Sequence, residues 1–327
     1  MNADIARRVG SVGNVGIVGA GSIGVAFAVV FARAGMTVRL FDADASRVPV
    51  ALGEVAQRLA KLEAAALLDE AATIASARVG AAATLADVVA GAALVIECAP
   101  ERVDVKRALF EQLDALAAAD TMLASASSAL PVSSFADRLP GRHRCLIAHP
   151  GNPPYLIPVI EIVPAPFTDP AVADRAAALF AHAGMKPVRV AKEVEGFVFN
   201  RLQGALLREA YCLVRDGVAS VDDIDTVVRD GLGLRWSVVG PFETVDLNTR
   251  GGIASHAQKM GPAYERMGAE RGQHDPWTPD LVERVAAARR AALPLDEWNE
   301  RVIWRDEQLT ELVRERRERR KRESGGN

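Results

Sequence analysis

The 327-residue sequence has few of the features that mark membrane, metal or disulfide-rich proteins. No apolar run reaches the roughly 18 residues that a membrane span requires. Residues 1–14 are polar and glycine-rich with no apolar signal core, so we expect no secretory signal. The five histidines lack metal-ligand spacing, and we therefore predict no metal site.

The sequence also has few cysteines and a small net charge. The chain has three cysteines, an odd number, and they are widely spaced: Cys98, Cys145 and Cys212. This usage favours reduced thiols and a cytoplasmic protein over a disulfide framework. The formal net charge is −3, which gives no global attraction to nucleic acid. The 10 Phe, 4 Trp and 3 Tyr are few, so the core must be built mainly from Ala, Val and Leu.

The chain opens with a glycine-rich pattern typical of dinucleotide-binding proteins. Gly19, Gly21 and Gly24 match G-x-G-x-x-G and enclose Ser22 and Ile23, between a predicted strand at 15–18 and a predicted helix at 22–34. The pattern suits a tight turn, close approach to a pyrophosphate and close helix–strand packing. Asp42 ends the next strand, where it can accept from ribose hydroxyls and repel a 2′-phosphate. These residues predict NAD rather than NADP; FAD and an ordinary glycine-rich turn are the alternatives.

The order of predicted elements indicates the fold class. Further strands are expected at 93–97, 121–125, 144–148 and 158–163, with helices at 102–117 and 131–138 and a helical hairpin inserted at 46–77. Alternating strands and helices predict a Rossmann-like, doubly wound, mostly parallel α/β sheet. Beyond residue 192 only helical patterns remain, at about 199–213, 221–230, 243–258, 278–292 and 296–320. We therefore expect an NAD-binding domain at 1–192 and an all-α substrate and dimerisation domain at 193–327.

A histidine and a glutamate stand on neighbouring predicted strands. His149 ends one apolar run, and Glu161 lies inside the next, in the sequence PVIEIV. A carboxylate is costly to bury unpaired, so Glu161 requires a partner, and His149 is the nearest candidate. A histidine oriented by a carboxylate is a common general base. The alternatives are a structural histidine and an edge-strand charge.

Other polar residues are expected near the same edge of the sheet. Ser125, Ser127 and Ser128 follow a strand, and ligands of open α/β sheets bind beyond the carboxyl ends of the strands. Any of these serines could instead cap the helix expected near Pro131. Asn200 lies beside apolar Phe199 in the first helix of the second domain, where its amide could bond either a neighbouring helix or the substrate.

Several of these segments together resemble the L-3-hydroxyacyl-CoA dehydrogenase family, and within it the lambda-crystallin branch, which includes L-gulonate 3-dehydrogenase. The segments that carry the resemblance are IVGAGSIG (17–24), IECAPE (96–101), ASASSALP (124–131), AHPGNPPYLIPVIEIVP (148–164), KEVEGFVFNRL (192–202) and GLGLRWSVVGPFETVDLN (231–248). The likeness runs from about residue 14 to the C-terminal helices. It implies a Rossmann-like domain followed by a helical domain that usually dimerises.

The resemblance also implies roles for individual residues. His149 matches the catalytic base and Glu161 the carboxylate that orients it. Ser128 and Asn200 match residues that hydrogen-bond the substrate oxygen. Glu101 and Lys106 match residues near the nicotinamide-side ribose, and Asp42 matches the acid on the adenosine ribose.

Two departures from the acyl-CoA enzymes bear on the substrate. The hairpin lacks their lysine cluster and instead carries Glu63, Asp69 and Glu70, which would repel the phosphates of CoA. Arg235, in GLGLRW, has no counterpart in their pattern but is shared with the lambda-crystallin and carnitine dehydrogenase branches. An arginine can hold a carboxylate through two hydrogen bonds. A surface ion pair is the alternative role for this arginine.

We therefore predict an NAD-dependent dehydrogenase that oxidises the 3-hydroxyl of a small L-3-hydroxy carboxylate, with His149 as general base and Arg235 as a substrate ligand. One alternative is an L-3-hydroxyacyl-CoA dehydrogenase acting on the thioester. A 6-phosphogluconate-like dehydrogenase would require a lysine in the inter-domain helix, and residues 197–207 contain none. The last alternative is an NAD-binding structural or sensor protein, since crystallins are bulk proteins. We expect no nucleic-acid or membrane partner and a homodimer formed through the helical domain.

Overall fold

The computed structural model describes residues 13–237, 239–248, 252–271, 280, 291 and 294–324. The chain divides into two compact units. One is drawn from Met1–Arg201 and Ile303–Asn327, and the other from Leu202–Val302. No described helix combines the length and apolar character that a bilayer span requires.

An eight-stranded sheet forms the centre of the first unit. Its strands are β1 (Asn14–Val18), β2 (Val38–Phe41), β3 (Val79–Ala81), β4 (Ala92–Glu97), β5 (Met122–Ser125), β6 (Cys145–Pro150), β7 (Val159–Pro164) and β8 (Lys186–Arg189). Their order across the sheet is β3-β2-β1-β4-β5-β6-β7-β8. Neighbouring strands are parallel except β6 and β7, which run antiparallel. The carboxyl ends of β1, β4 and β5 therefore meet at one edge.

Helices cover both faces of this sheet. They are α1 (Ser22–Arg33), α2 (Arg47–Ala64), α3 (Ala72–Ser76), α4 (Leu85–Val89), α5 (Val103–Leu116), α6 (Ser133–Ala136) and α7 (Pro170–His182). Successive strand residues alternate between two cores: Leu94 and Ile96 pack in one buried cluster and Val95 in another. Because side chains alternate across a strand, the two clusters lie on opposite faces. Both faces are thus buried, as a parallel sheet requires.

The predicted fold class is confirmed: a mostly parallel Rossmann-like sheet is interrupted by the α2–α3 hairpin and followed by helices. The sequence analysis missed β3, α4, α7 and β8. β3 has only three residues, Val-Gly-Ala, too few to show an alternating pattern. β8 lies at the sheet edge with half-buried or exposed side chains, so it lacks an apolar run.

Turns connect the elements described in the second unit, and all of these elements are helices. Its elements are α8 (Phe199–Arg215, which begins in the first unit), α9 (Val221–Thr226), a π-helix (Val227–Gly233), α10 (Leu234–Trp236), α11 (Pro241–Asn248) and α12 (Gly252–Arg271). Most of the helix predicted at 278–292 lies outside the described residues. A last helix, α13 (Trp298–Ser324), leads back into the first unit.

Helix α13 packs on the first unit, although the sequence analysis grouped it with the helical domain. Leu309 contacts the core of the first unit. Arg317 donates to the carbonyl of Ala66 at 3.1 Å and forms an ion pair with Asp69 of the hairpin. The compact units therefore divide at residue 201 and again at 303, while the boundary at 192/193 remains our proposal for the functional domains.

Candidate active site

The glycine-rich loop joins β1 to α1, and its glycines differ in what surrounds them. Gly19 has a φ of +110°, and an added Cβ would lie 2.7 Å from the carbonyl oxygen of Cys98. At Gly24 an added Cβ would lie 1.9 Å from the carbonyl oxygen of Gly19. At Gly21 the nearest described atom is Nη2 of Arg47, 3.8 Å away. Close packing thus requires glycine at 19 and 24, whereas the space at Gly21 is open for a ligand.

The start of α1 has the properties of an anion site. Ser22 is exposed at the first helical position, Ile23 is half-buried against the core, and Gly21 provides no side-chain cap. The first turn contains no acidic residue. Unpaired amides and the helix dipole favour a pyrophosphate at such a position. The residues present therefore fit the phosphate part of a dinucleotide.

Asp42 lies at the end of β2 beside this loop, as predicted. Its Oδ2 accepts from the amide of Ala20 at 2.7 Å, and its Oδ1 accepts from the amide of Asp44 at 3.0 Å. The Asp42 side chain is 16% exposed. The two amides fix the carboxylate while leaving an accessible edge, which suits an acceptor for ribose hydroxyls.

His149 and Glu161 face each other across β6 and β7. The antiparallel register pairs them directly, and His149 Nδ1 lies 2.7 Å from Glu161 Oε2. Both side chains are buried. A carboxylate only accepts hydrogen bonds, so Nδ1 carries the proton and Nε2 keeps a lone pair in the neutral ring. The predicted pairing of these two residues is thus present with the geometry that a general base requires.

The second oxygen of Glu161 holds the start of α8. Oε1 accepts from the amides of Val198 at 2.7 Å and Phe199 at 2.9 Å. Burial opposes ionisation of this carboxyl, but the hydrogen bonds from His149 and the two amides outweigh it and keep its pKa below the usual value. Glu161 is therefore a carboxylate at neutral pH.

Phe197 and Phe199, which the sequence analysis did not assign to the site, enclose the imidazole. Their ring centroids lie 5.8 and 6.2 Å from that of His149. Gly196 and Phe197 have φ values of +73° and +49°. This left-handed turn is unfavourable for phenylalanine, but it aims the next two amides at Glu161. Gly196 is the sequence feature that could have indicated this turn, because glycine commonly occupies left-handed backbone positions.

Burial distinguishes the three serines that the sequence left undecided. Ser125 is fully buried, and its hydroxyl donates to Glu97 Oε2 at 2.6 Å. The hydroxyl of buried Ser127 accepts from the amide of Leu130 at 2.9 Å, so it closes a turn and does not cap α6. Ser128 is half-buried, and no described residue bonds its hydroxyl. Of the three, Ser128 is the one with a hydroxyl free for a ligand.

Glu101 and Asn200 hold the backbone around Ser128. Glu101 Oε1 accepts from the Ser127 hydroxyl at 2.7 Å and from three successive amides, those of residues 128, 129 and 130, at 2.7–3.1 Å. Burial raises the pKa of Glu101, but the hydrogen bonds from these four donors lower it by more. The pKa of Glu101 is therefore below its usual value. Asn200 Nδ2 donates to the carbonyl of Ser128 at 2.9 Å. The contacts observed for Asn200 are therefore to the serine loop.

Lys106, which the resemblance places near the nicotinamide-side ribose, is buried. Its side chain is 2% exposed, and Nζ lies 2.9 Å from both carboxylate oxygens of Glu97. Glu97 also accepts from the amide of Ala99 at 2.6 Å. The described contacts make Lys106 a buried support for the loop at 97–101, and contact with a ribose stays a prediction.

Arg235 lies on α10 in the second unit, and its side chain is exposed. No ion pair to Arg235 occurs among the residues that the structure describes. Nor do those residues bring together three His, Cys, Asp or Glu side chains in a metal-binding cluster.

Comparison with known proteins shows the family of this chain. Residues 14–194 match the NAD binding domain of 3-hydroxyacyl-CoA dehydrogenase, and residues 196–293 match its C-terminal domain. Lambda-crystallin of Oryctolagus cuniculus is 37% identical over 310 residues, covering 94% of this chain and 97% of that protein. L-carnitine dehydrogenase of Streptomyces griseus is 38% identical over 270 residues, 81% of this chain and 76% of that enzyme.

A solved structure extends the likeness to the whole fold. It is that of 5-formyl-3-hydroxy-2-methylpyridine 4-carboxylic acid 5-dehydrogenase, an NAD⁺-dependent dismutase. The TM-score is 0.79 and the identity 29%, and the alignment covers 94% of this chain and 98% of that one. With a dinucleotide loop, a His–Glu pair and family matches over both parts of the chain, this protein is an NAD-dependent dehydrogenase that belongs to the 3-hydroxyacyl-CoA dehydrogenase family.

Proposed function

We propose that the enzyme oxidises the 3-hydroxyl of a small L-3-hydroxy carboxylate to the 3-keto acid, with His149 as general base. The observation that carries this proposal is the 2.7 Å contact between His149 Nδ1 and Glu161, because it leaves Nε2 as the proton acceptor. NAD⁺ supplies the hydride acceptor when it is bound. The amides at Gly19–Gly24 and the carboxylate of Asp42 would hold its pyrophosphate and adenosine ribose.

The proton and the hydride leave the substrate by separate routes. His149 Nε2 takes the hydroxyl proton as the C3 hydrogen departs with its electron pair. The imidazolium that forms is stabilised by Glu161, which is already ionised and cannot reorient because two amides hold its other oxygen. The charge that develops on the histidine is thus met by a fixed, buried carboxylate.

Ser128 and Asn200 would orient the substrate oxygen. The Ser128 hydroxyl is free among the described residues, and Asn200 uses one N–H on the Ser128 carbonyl, which leaves its second N–H for a ligand. All four described hydrogen bonds to Glu101 go to Oε1, so Oε2 remains for the nicotinamide-side ribose. Such positioning aligns the hydroxyl with the base.

A free acid is favoured over a CoA thioester as the substrate. Two of the three acids that distinguish the hairpin are already paired: Asp69 with Arg317, and Glu70 with Arg78. These arginines offset the charge of Asp69 and Glu70, so the feature that argues against CoA is that the hairpin lacks a row of free lysines to bind its phosphates. Arg235 has no described acidic partner, and we propose that it binds the substrate carboxylate through its guanidinium.

The helical unit is proposed to form a homodimer. Its described surface carries large apolar side chains that are more than half exposed, namely Leu202, Val218, Val227, Leu234, Phe242, Leu247, Tyr264 and Met267. Apolar exposure on this scale marks an association surface, and a second copy of the chain is the partner we propose.

Replacing His149 by alanine should lower turnover by about 10²–10⁴-fold and leave NAD binding unchanged, because only the proton acceptor is lost. Steady-state NADH formation and NADH fluorescence titration measure the two quantities. His182→Ala, at an exposed position at the end of α7, is the matched control and should retain wild-type turnover. Unchanged turnover in His149→Ala would eliminate the proposed mechanism.

A substrate panel distinguishes the free acid from the thioester. L-Gulonate, L-carnitine, 3-hydroxybutyrate and 3-hydroxybutyryl-CoA are compared by NADH absorbance, and we expect a free acid to have the highest kcat/KM.

Arg235→Gln should raise KM for that acid by about 10–100-fold, since a charge-assisted hydrogen bond is lost. Arg229→Gln, an exposed arginine paired with Asp230, serves as control. A preference for the thioester, with no effect of Arg235→Gln, would support the alternative substrate class.

The dimer is tested by sedimentation velocity. Phe242 is 77% exposed, and Phe242→Glu should convert the dimer to monomer because it places a charge in an apolar interface. Val50→Glu changes a residue that is 63% exposed on the first unit and should leave the dimer intact. A monomeric wild-type protein at micromolar concentration contradicts this part of the proposal.

A further inference from the structure

Arg47 lies at the glycine-rich loop but was not assigned any role by the sequence. It is the first residue of α2, and its side chain is 54% exposed. Its Nη2 atom lies 3.8 Å from the place that a Cβ on Gly21 would occupy. Its Nε atom lies 4.0 Å from Asp42 Oδ2. The guanidinium is thus between the open glycine of the loop and the ribose-binding acid.

The contact with Asp42 leaves the hydrogen-bond donors of the Arg47 guanidinium free. At 4.0 Å the ion pair is too long for a hydrogen bond, and no described hydrogen bond involves the Arg47 side chain. Asp42 already takes its two short hydrogen bonds from the amides of Ala20 and Asp44. Arg47 is therefore not required to orient Asp42, and its donors are available to another group.

The open position at Gly21 determines which group that is. The pyrophosphate of a dinucleotide approaches the loop there, and it carries negative charge that the α1 amides only partly offset. An arginine fork is well suited to phosphate oxygens. We propose that Arg47 is a ligand of the NAD pyrophosphate. This inference concerns cofactor binding, so it stands whichever substrate the enzyme oxidises.

The alternative is that Arg47 receives a 2′-phosphate and so selects NADP. Asp42 argues against this, because its carboxylate is fixed by two amides at the position where the ribose hydroxyls bind. A 2′-phosphate would meet that charge at short range. The same arginine therefore strengthens NAD binding without reversing the cofactor preference.

The test measures binding of cofactor fragments to the full-length enzyme in the absence of substrate. Fluorescence titration with NADH, and its displacement by ADP-ribose and by adenosine, give three dissociation constants for Arg47→Gln and for wild type. We expect the values for NADH and ADP-ribose to rise about tenfold and the value for adenosine to be unchanged. Arg47→Lys should recover part of the loss, and the salt dependence of NADH binding should weaken in Arg47→Gln.

Arg189→Gln is the matched control, because Arg189 is also an exposed arginine, 64% exposed, but lies on β8 at the far edge of the sheet. It should leave all three constants unchanged. The proposal is overturned if ADP-ribose binds Arg47→Gln as tightly as wild type, or if adenosine weakens as much as ADP-ribose. A loss of NADP⁺ affinity that exceeds the loss of NADH affinity would equally contradict it.

Discussion

The active site depends on the hydrogen bonds of one buried carboxylate. Glu161 is 1% exposed and bonds His149 from one oxygen and the amides of Val198 and Phe199 from the other. Unpaired, such a carboxylate would be costly to bury. With three donors it connects β6, β7 and the start of α8. The same interaction fixes the histidine tautomer and sets where α8 begins, and Asn200 follows one residue later.

A second buried carboxylate supports the other side of the site. Glu97 ends β4 and bonds Lys106, the hydroxyl of Ser125 and the amide of Ala99. Removing one partner of such a buried pair leaves an uncompensated charge, so the pair constrains its surroundings strongly. It anchors the segment that leads to Glu101, whose carboxylate in turn holds the loop carrying Ser128. Both carboxylates therefore act on residues that we propose as ligand contacts.

Much of this arrangement could be predicted from the sequence, since it follows from local patterns. The glycine spacing and Asp42 predicted the β1–α1 loop, and the cost of burying Glu161 predicted its pairing with His149. The same argument applied to Glu97, which ends the apolar run ALVIE, would have found the second carboxylate. The burial of Lys106 could not be predicted, because a lysine on a helix is ordinarily exposed to solvent. The choice among the serines required burial, which depends on neighbouring strands.

The central claim is that Glu161 fixes the tautomer of His149, and the isosteric variant Glu161→Gln tests it most directly. The amide oxygen can replace Oε1 at the two backbone donors, which places the NH₂ group opposite His149 Nδ1. Nδ1 must then accept, and Nε2 carries the proton and cannot act as a base. ¹⁵N NMR of the imidazole nitrogens should show a protonated Nδ1 in wild type and a protonated Nε2 in Glu161→Gln, with turnover reduced by about 10³–10⁴-fold. A wild-type ring protonated at Nε2, or full turnover in the variant, would contradict the account.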